Sequence, residues 1–99
     1  MRVYISGPMT GYPAFNYDAF NAAEKVLTNL GHEPLNPARH PVQESWSDYL
    51  RLDLVDVVRA DAVAVLPGWE ASRGAALEVH VAHALGMTVL RIDQWGGAA

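Results

Sequence analysis

Short apolar runs alternate along this chain with amphipathic stretches of helical period. Arg2 to Ser6 (RVYIS) is β-branched and aromatic and breaks at Gly7-Pro8, which predicts a buried strand followed by a glycine-containing loop. That loop runs through Met9, Thr10, Gly11, Tyr12 and Pro13. From Asn16, a candidate N-cap, apolar positions recur at Phe20, Ala23, Val26 or Leu27, and Leu30, and Gly31 stops the helix. His32 to Leu35 reads as a short second strand closed by Asn36-Pro37. After a proline-containing loop, Ala38 to Val42, a second helix starts near Glu44 or Ser45 and continues to about Arg59. Asp61 to Leu66 (DAVAVL) is an uninterrupted apolar run, suited to a central parallel strand covered on both faces. A third helix, with Ser72 as a candidate N-cap, ends at Gly86. Thr88 to Ile92 is the last strand, and Asp93 to Ala99 is a short tail.

This order, β-α-β-α-β-α-β with short connections, predicts a single α/β domain over residues 1–99. The expected architecture is a Rossmann-like or flavodoxin-like three-layer sandwich with a four- or five-stranded parallel sheet. In such sheets ligands sit at the carboxyl ends of the strands, near the switch in strand order. Three stretches meet at that edge: Ser6-Gly7-Pro8, Asn36-Pro37, and Pro67 through Gly74. The first half of the third helix faces the same crevice.

That helix carries one carboxylate on its apolar stripe, Glu78, whose same-face neighbours are Gly74, Ala75, Val81, Ala82 and Leu85. A carboxylate there loses hydration and tends toward a raised pKa unless something pairs with it. Asp53 stands at the border of the second helix's apolar face and could orient Glu78 or handle protons. Asp56 is expected to be exposed and Asp61 to cap the start of the strand. Alternation puts Arg2, Tyr4 and Ser6 on one face of the first strand and Val3 and Ile5 on the other. The Tyr4 hydroxyl, if buried, needs a partner, and a carboxylate would serve. Ser6-Gly7-Pro8 and Ser72-Arg73-Gly74 present amides and a hydroxyl near helix starts, where anions bind. Among the aromatics, Trp69 in the strand-end loop is the candidate stacking surface for a base. Trp46, Tyr49 and Phe15 read as core, and His80 and His83 as surface residues.

Composition narrows the partners. Net charge is −4 with seven basic residues scattered singly, which argues against a nucleic-acid polymer but leaves a mononucleotide open. There are no cysteines, so thiolate chemistry and a Cys-based zinc site are excluded. Neither a GxGxxG nor a GxxxxGK[ST] motif occurs. No apolar run approaches a membrane span of roughly 18 residues, so the expectation is a cytoplasmic protein with no membrane partner. A core this small would gain from association, and a homodimer or higher homo-oligomer is expected.

The motifs VYISGP (3–8), the aspartate of RLDL (51–54), the AD of RADAVAVL (59–66) and SRGAALEVHVA (72–82) occur together in this order. In these the sequence resembles the nucleoside 2-deoxyribosyltransferase-like superfamily, over Val3 to about Val89. It looks closest to a short branch and is similar to the 5′-deoxynucleotide N-hydrolases. The resemblance implies that Glu78 is a nucleophile attacking C1′ of a deoxyribose. It implies that Tyr4 hydrogen-bonds that glutamate and that Asp53 positions substrate and manages protons at the base. Ser72 stands where transferases carry an aspartate facing a free 5′-hydroxyl and where the N-hydrolases carry a serine that accepts a 5′-phosphate. Replacing a carboxylate by a hydroxyl removes repulsion toward phosphate, in agreement with that pattern. Ser6, Gly7 and Pro8 correspond to the loop that wraps the sugar-phosphate. Met9, Asn36, Trp69, Arg73 and Gly74 complete the candidate binding set.

The expected activity is cleavage of the N-glycosidic bond of a (deoxy)nucleoside 5′-monophosphate through a glycosyl-Glu78 intermediate, by hydrolysis or base exchange, with no cofactor or metal. The alternative is a non-catalytic nucleotide- or signal-binding module on the same fold. A third reading is a structural partner protein with an interface around Trp46 and Trp69.

Overall fold

The computed structural model describes residues 1–97. Four strands, β1 (Arg2–Ser6), β2 (Glu33–Leu35), β3 (Ala62–Val65) and β4 (Thr88–Arg91), alternate with helices α1 (Tyr17–Asn29), α2 (Trp46–Arg59) and α3 (Arg73–Ala84). They form one all-parallel sheet of order β2-β1-β3-β4. Of the four or five strands expected, four are present among the described residues. The switch in strand order falls between β1 and β3, paired from Val3↔Ala62 to Ser6↔Val65. Their carboxyl ends therefore open the crevice predicted for this topology.

Strand alternation sorts the core into two halves. Val3, Ile5 and Ala64 pack with Phe20, Ala23 and Leu27 of α1 on one face. Tyr4, Val63 and Val65 pack with Val57 of α2 and Val79 and Ala82 of α3 on the other. The face beneath α2 and α3 is the one that holds polar groups, Tyr4 and Ser6 among them. Within α1 it is Leu27 that is buried, while Val26 is exposed.

Three local expectations are corrected. The last strand stops at Arg91, and Ile92, expected as its end, joins the first part of the expected tail in a short helix, α4 (Ile92–Gly97), because Ile92 and Trp95 find apolar cover on the α1 side of the core; residues 98 and 99 lie outside the described residues. Asn16 does not cap α1 with its side chain. It sits in the left-handed region with Ala14 and Phe15 (φ 48°, 52° and 62° for residues 14 to 16), and its amide donates to the Pro8 carbonyl at 3.0 Å. This run of three non-glycine residues costs about 1–2 kcal/mol per residue and folds the loop back over the sheet edge. On α3, Leu85 is exposed, so the buried face is Ala75, Glu78, Val79 and Ala82.

Two glycines are required by close approach. A Cβ on Gly7 would lie 2.7 Å from Leu66 Cβ, where the ends of β1 and β3 run side by side. Gly68 adopts φ 87°, and a Cβ there would meet the Tyr12 hydroxyl at 2.7 Å.

Candidate active site

The helix starts are fixed by side chains at the carboxyl edge of the sheet. Ser45 Oγ accepts from Asp48 N at 3.2 Å to start α2, and Ser72 Oγ accepts from Ala75 N at 3.2 Å to start α3. Between these two helix starts, the β1 loop and the Tyr12–Tyr17 segment lies a cleft of about 810 Å³. Clefts of roughly 300–1,000 Å³ suit small-molecule ligands. Gly7, Pro8 and Met9 line it, as do Ser72, Arg73 and Gly74, and Asp53 and Glu78 belong to its lining. Eight of the twelve sequence-predicted residues thus share one cavity.

Glu78 is 5% exposed, although it sits on a cleft wall. Ser6 Oγ donates to its Oε1 at 2.8 Å. Burial pushes the Glu78 carboxyl up to about 8; the negative charge of Asp53 adds to this, and the Ser6 hydrogen bond opposes it. Burial likewise raises Asp53 to about 6, against the pull of His40. Each carboxyl feels the charge of the other, so Asp53 and Glu78 titrate as a pair. Tyr4 lies fully buried beneath them. Its phenol is held well above its usual range, first by burial and then by the charges of Glu78 and Asp53. The Tyr4 hydroxyl is next to the Glu78 carboxyl but finds no well-formed hydrogen bond among the described residues.

Four predicted residues occupy other places. Tyr4 and Ser6 stand behind Glu78 rather than on the cleft wall, so the Ser6 side chain supports the carboxylate instead of wrapping a ligand. Asn36 is turned away from the cleft. Its amide donates to Asn21 Oδ1 at 3.1 Å, and its Oδ1 accepts from Ala38 N at 3.0 Å. Trp69 packs against the core cluster of Tyr4, Val57 and Val79, because the tight turn Trp69–Ala71 folds it back under α3. Trp46, read as core, is instead 42% exposed at the start of α2 and lines the cleft beneath the Arg73 guanidinium, which lies 4.3 Å from its ring centroid. Among the described residues that line the cleft, Arg73 is the sole cation. Tyr12, Phe15, Tyr17 and Tyr49 add aromatic wall.

His40 gave no periodic signal in the sequence; the only hint was its place in a loop leaving the carboxyl end of a strand. Its Nε2 is 2.8 Å from Asp56 Oδ2, and its Nδ1 is 3.0 Å from Asp53 Oδ1, the latter too bent for a regular hydrogen bond. Asp56, expected exposed, is thereby largely covered, with 20% of its side chain accessible. The two carboxylates meet different ring nitrogens rather than converging on one point. Among the described residues, no group of three or more His, Cys, Asp or Glu side chains is arranged to hold a metal ion.

The fold matches that of solved 2-deoxyribosyltransferases. The enzyme from Bacillus psychrosaccharolyticus superposes with a TM-score of 0.71 at 22% identity, covering 91% of this chain and 71% of that one. The 2-deoxyribosyltransferase of Leishmania mexicana gives 0.73 at 21%, covering 91% and 62%. A conserved protein from Enterococcus faecalis V583 gives 0.65 at 21%, covering 90% and 60%. This chain therefore spans under two thirds of the length of the latter two. The architecture is nucleoside 2-deoxyribosyltransferase-like. By sequence the chain belongs to the family described as a domain of unknown function, DUF4406, which it matches over residues 1–91. No curated protein matches it. Among the described residues no helix is long and apolar enough to cross a membrane.

Proposed function

We propose that this protein cleaves the N-glycosidic bond of a (deoxy)nucleoside 5′-monophosphate, with Glu78 as nucleophile and Asp53 as the proton-handling partner. The observation that carries the reading is the placement of two carboxyls, buried Glu78 and largely covered Asp53, at the wall of a nucleotide-sized cleft; burial pushes them up to about 8 and about 6, which supports one proton on the pair near neutral pH. An attacking carboxylate and a proton for the departing base are the two things that glycosidic cleavage needs.

In the first step the shared proton passes through Asp53 to a nitrogen of the base. The C1′–N bond breaks, and C1′ bonds to a Glu78 oxygen through an oxocarbenium-like transition state. Asp53 is left ionised. In the second step Asp53 takes a proton from water, whose oxygen attacks C1′ and releases Glu78, so the pair regains its single proton. A second base can take the place of water, which gives transfer. A 2′-deoxy sugar is favoured because it lacks the electron-withdrawing hydroxyl that destabilises the cation. The Ser72 hydroxyl accepts the Ala75 amide and still has its own proton to donate to a phosphate oxygen, while Arg73 supplies the charge. Trp46 offers the face on which a ring can stack. The catalytic residues are Glu78 and Asp53, with Tyr4 behind Glu78 as a positioning residue, and no cofactor takes part.

The test is incubation with a panel of ribo- and deoxyribonucleoside 5′-monophosphates and chromatography for free base. Wild type releases base from at least one, and Glu78→Gln does not. A wild type that releases none across the panel ends the enzymatic reading. The raised Glu78 pKa favours one second reading: a protonated Glu78 donating a hydrogen bond in a nucleotide-binding module without turnover. Thermal-shift binding without base release would select it.

A further inference from the structure

The loop after β2 carries a histidine that the proposed reaction does not use, set 16% exposed between two aspartates on successive turns of α2. We infer that His40 is a positioning residue for the Asp53–Glu78 pair: holding Asp53 and Asp56 from its two ring nitrogens, it fixes the Asp53 carboxylate and balances its charge, so that the shared proton rests on Glu78 until substrate arrives.

The charges around it make the case. Asp53 and Asp56 face it from α2, Glu78 lies beyond Asp53 on α3, and the Tyr4 phenol comes up from β1. Its neighbour Arg39 is turned away to pair with Glu24 of α1. Three acids and a phenol thus share a largely buried corner, and His40 faces two of the acids, Asp53 and Asp56. A ring with a proton on each nitrogen donates to Asp56 from Nε2 and from Nδ1 attracts the ionised form of Asp53, which leaves Glu78 as the protonated member. Asp56 holds the other side of the ring and fixes its orientation, in the way an outer partner orients a catalytic imidazole. The kinetic consequence rests on the proposed reaction; the assignment itself rests on geometry.

The experiment compares wild type with His40→Asn, both as the full chain with labelled Asp and Glu side-chain carboxyls, by carbon NMR from pH 4 to 9.5. In the variant the Asp53 midpoint rises by about one pH unit or more, and that of Glu78 falls as the proton moves to Asp53. Midpoints unchanged within two or three tenths overturn the assignment. Nitrogen NMR on wild type covers a variant that fails to fold: Nδ1 of His40 is protonated where Asp53 is ionised, and a bare Nδ1 facing Asp53 overturns it equally. With turnover, His40→Asn lowers kcat by about tenfold or more with KM little changed, and moves the acid limb of the rate profile to higher pH. A wild type that releases no base counts against the proposed reaction alone, and the carboxyl titration then decides the role of His40.

Discussion

Glu78 makes the folded protein less stable than its shape requires, and removing its charge exposes the cost. In the unfolded chain this carboxyl gives up its proton near pH 4.5, whereas in the folded protein it keeps it to about pH 8. Between those values the folded state binds more protons than the unfolded one, so stability falls as pH rises, by up to about 1.4 kcal/mol per pH unit. Carried to pH 7, the loss reaches at most about 3 kcal/mol. Glutamine has the same shape, accepts the Ser6 hydrogen bond and has no charge to lose. Glu78→Gln is therefore more stable than wild type at neutral pH, by up to about 3 kcal/mol, a rise in Tm of about ten degrees or more for a domain this size. At pH 5 the gain shrinks to under about 1 kcal/mol. Urea unfolding of both proteins at pH 5, 6, 7 and 8 reads the difference, with m unchanged. A difference that stays constant with pH, or a variant less stable than wild type at pH 7, would refute the account of Glu78 as a buried carboxyl held protonated.

Further outcomes follow from the same geometry. Base release has a bell-shaped pH profile with limbs near 6 and 8, because the pair carries one proton between them; a flat profile from pH 5 to 9 contradicts a proton-sharing pair. Ser72→Asp keeps the α3 cap, since aspartate caps as well as serine, but sets a carboxylate where the phosphate is proposed to bind. It lowers kcat/KM for a 5′-monophosphate by about tenfold to a hundredfold and spares the matching nucleoside; equal effects on both would remove Ser72 from phosphate recognition. Gly7→Ala drives a Cβ to 2.7 Å from Leu66 Cβ and costs about 1–3 kcal/mol in urea unfolding, while an unchanged midpoint would mean that the strand ends part freely.

How far the sequence could be read depends on the kind of signal. Alternation in RVYIS set Tyr4 and Ser6 on one face and Val3 and Ile5 on the other, and the structure gives the first face to α2 and α3 and the second to α1. The apolar run Asp61 to Leu66 proved to contain the central β3, and Glu78 is buried as its stripe position implied. Loops were less legible. Trp69 and Trp46 exchanged places, because one tight turn packs Trp69 against the core while the start of α2 holds Trp46 on the cleft wall. Asn36, at a strand end and so at the right edge, turned instead to Asn21 and Ala38. Asp56 looked exposed on helical spacing because the residue that covers it, His40, lies 16 positions earlier on another element.

The sequence by itself determined the layers, the strand faces and the presence of one carboxylate on an apolar helix face, since those follow from local periodicity and from burying apolar surface. Only the tertiary structure decided that Glu78 and Asp53 line one cleft, that Ser6 and Tyr4 stand behind Glu78, and that His40 lies between Asp53 and Asp56. Those facts depend on distances between residues far apart in the chain. In a buried site, such distances set the charge that each carboxyl can hold.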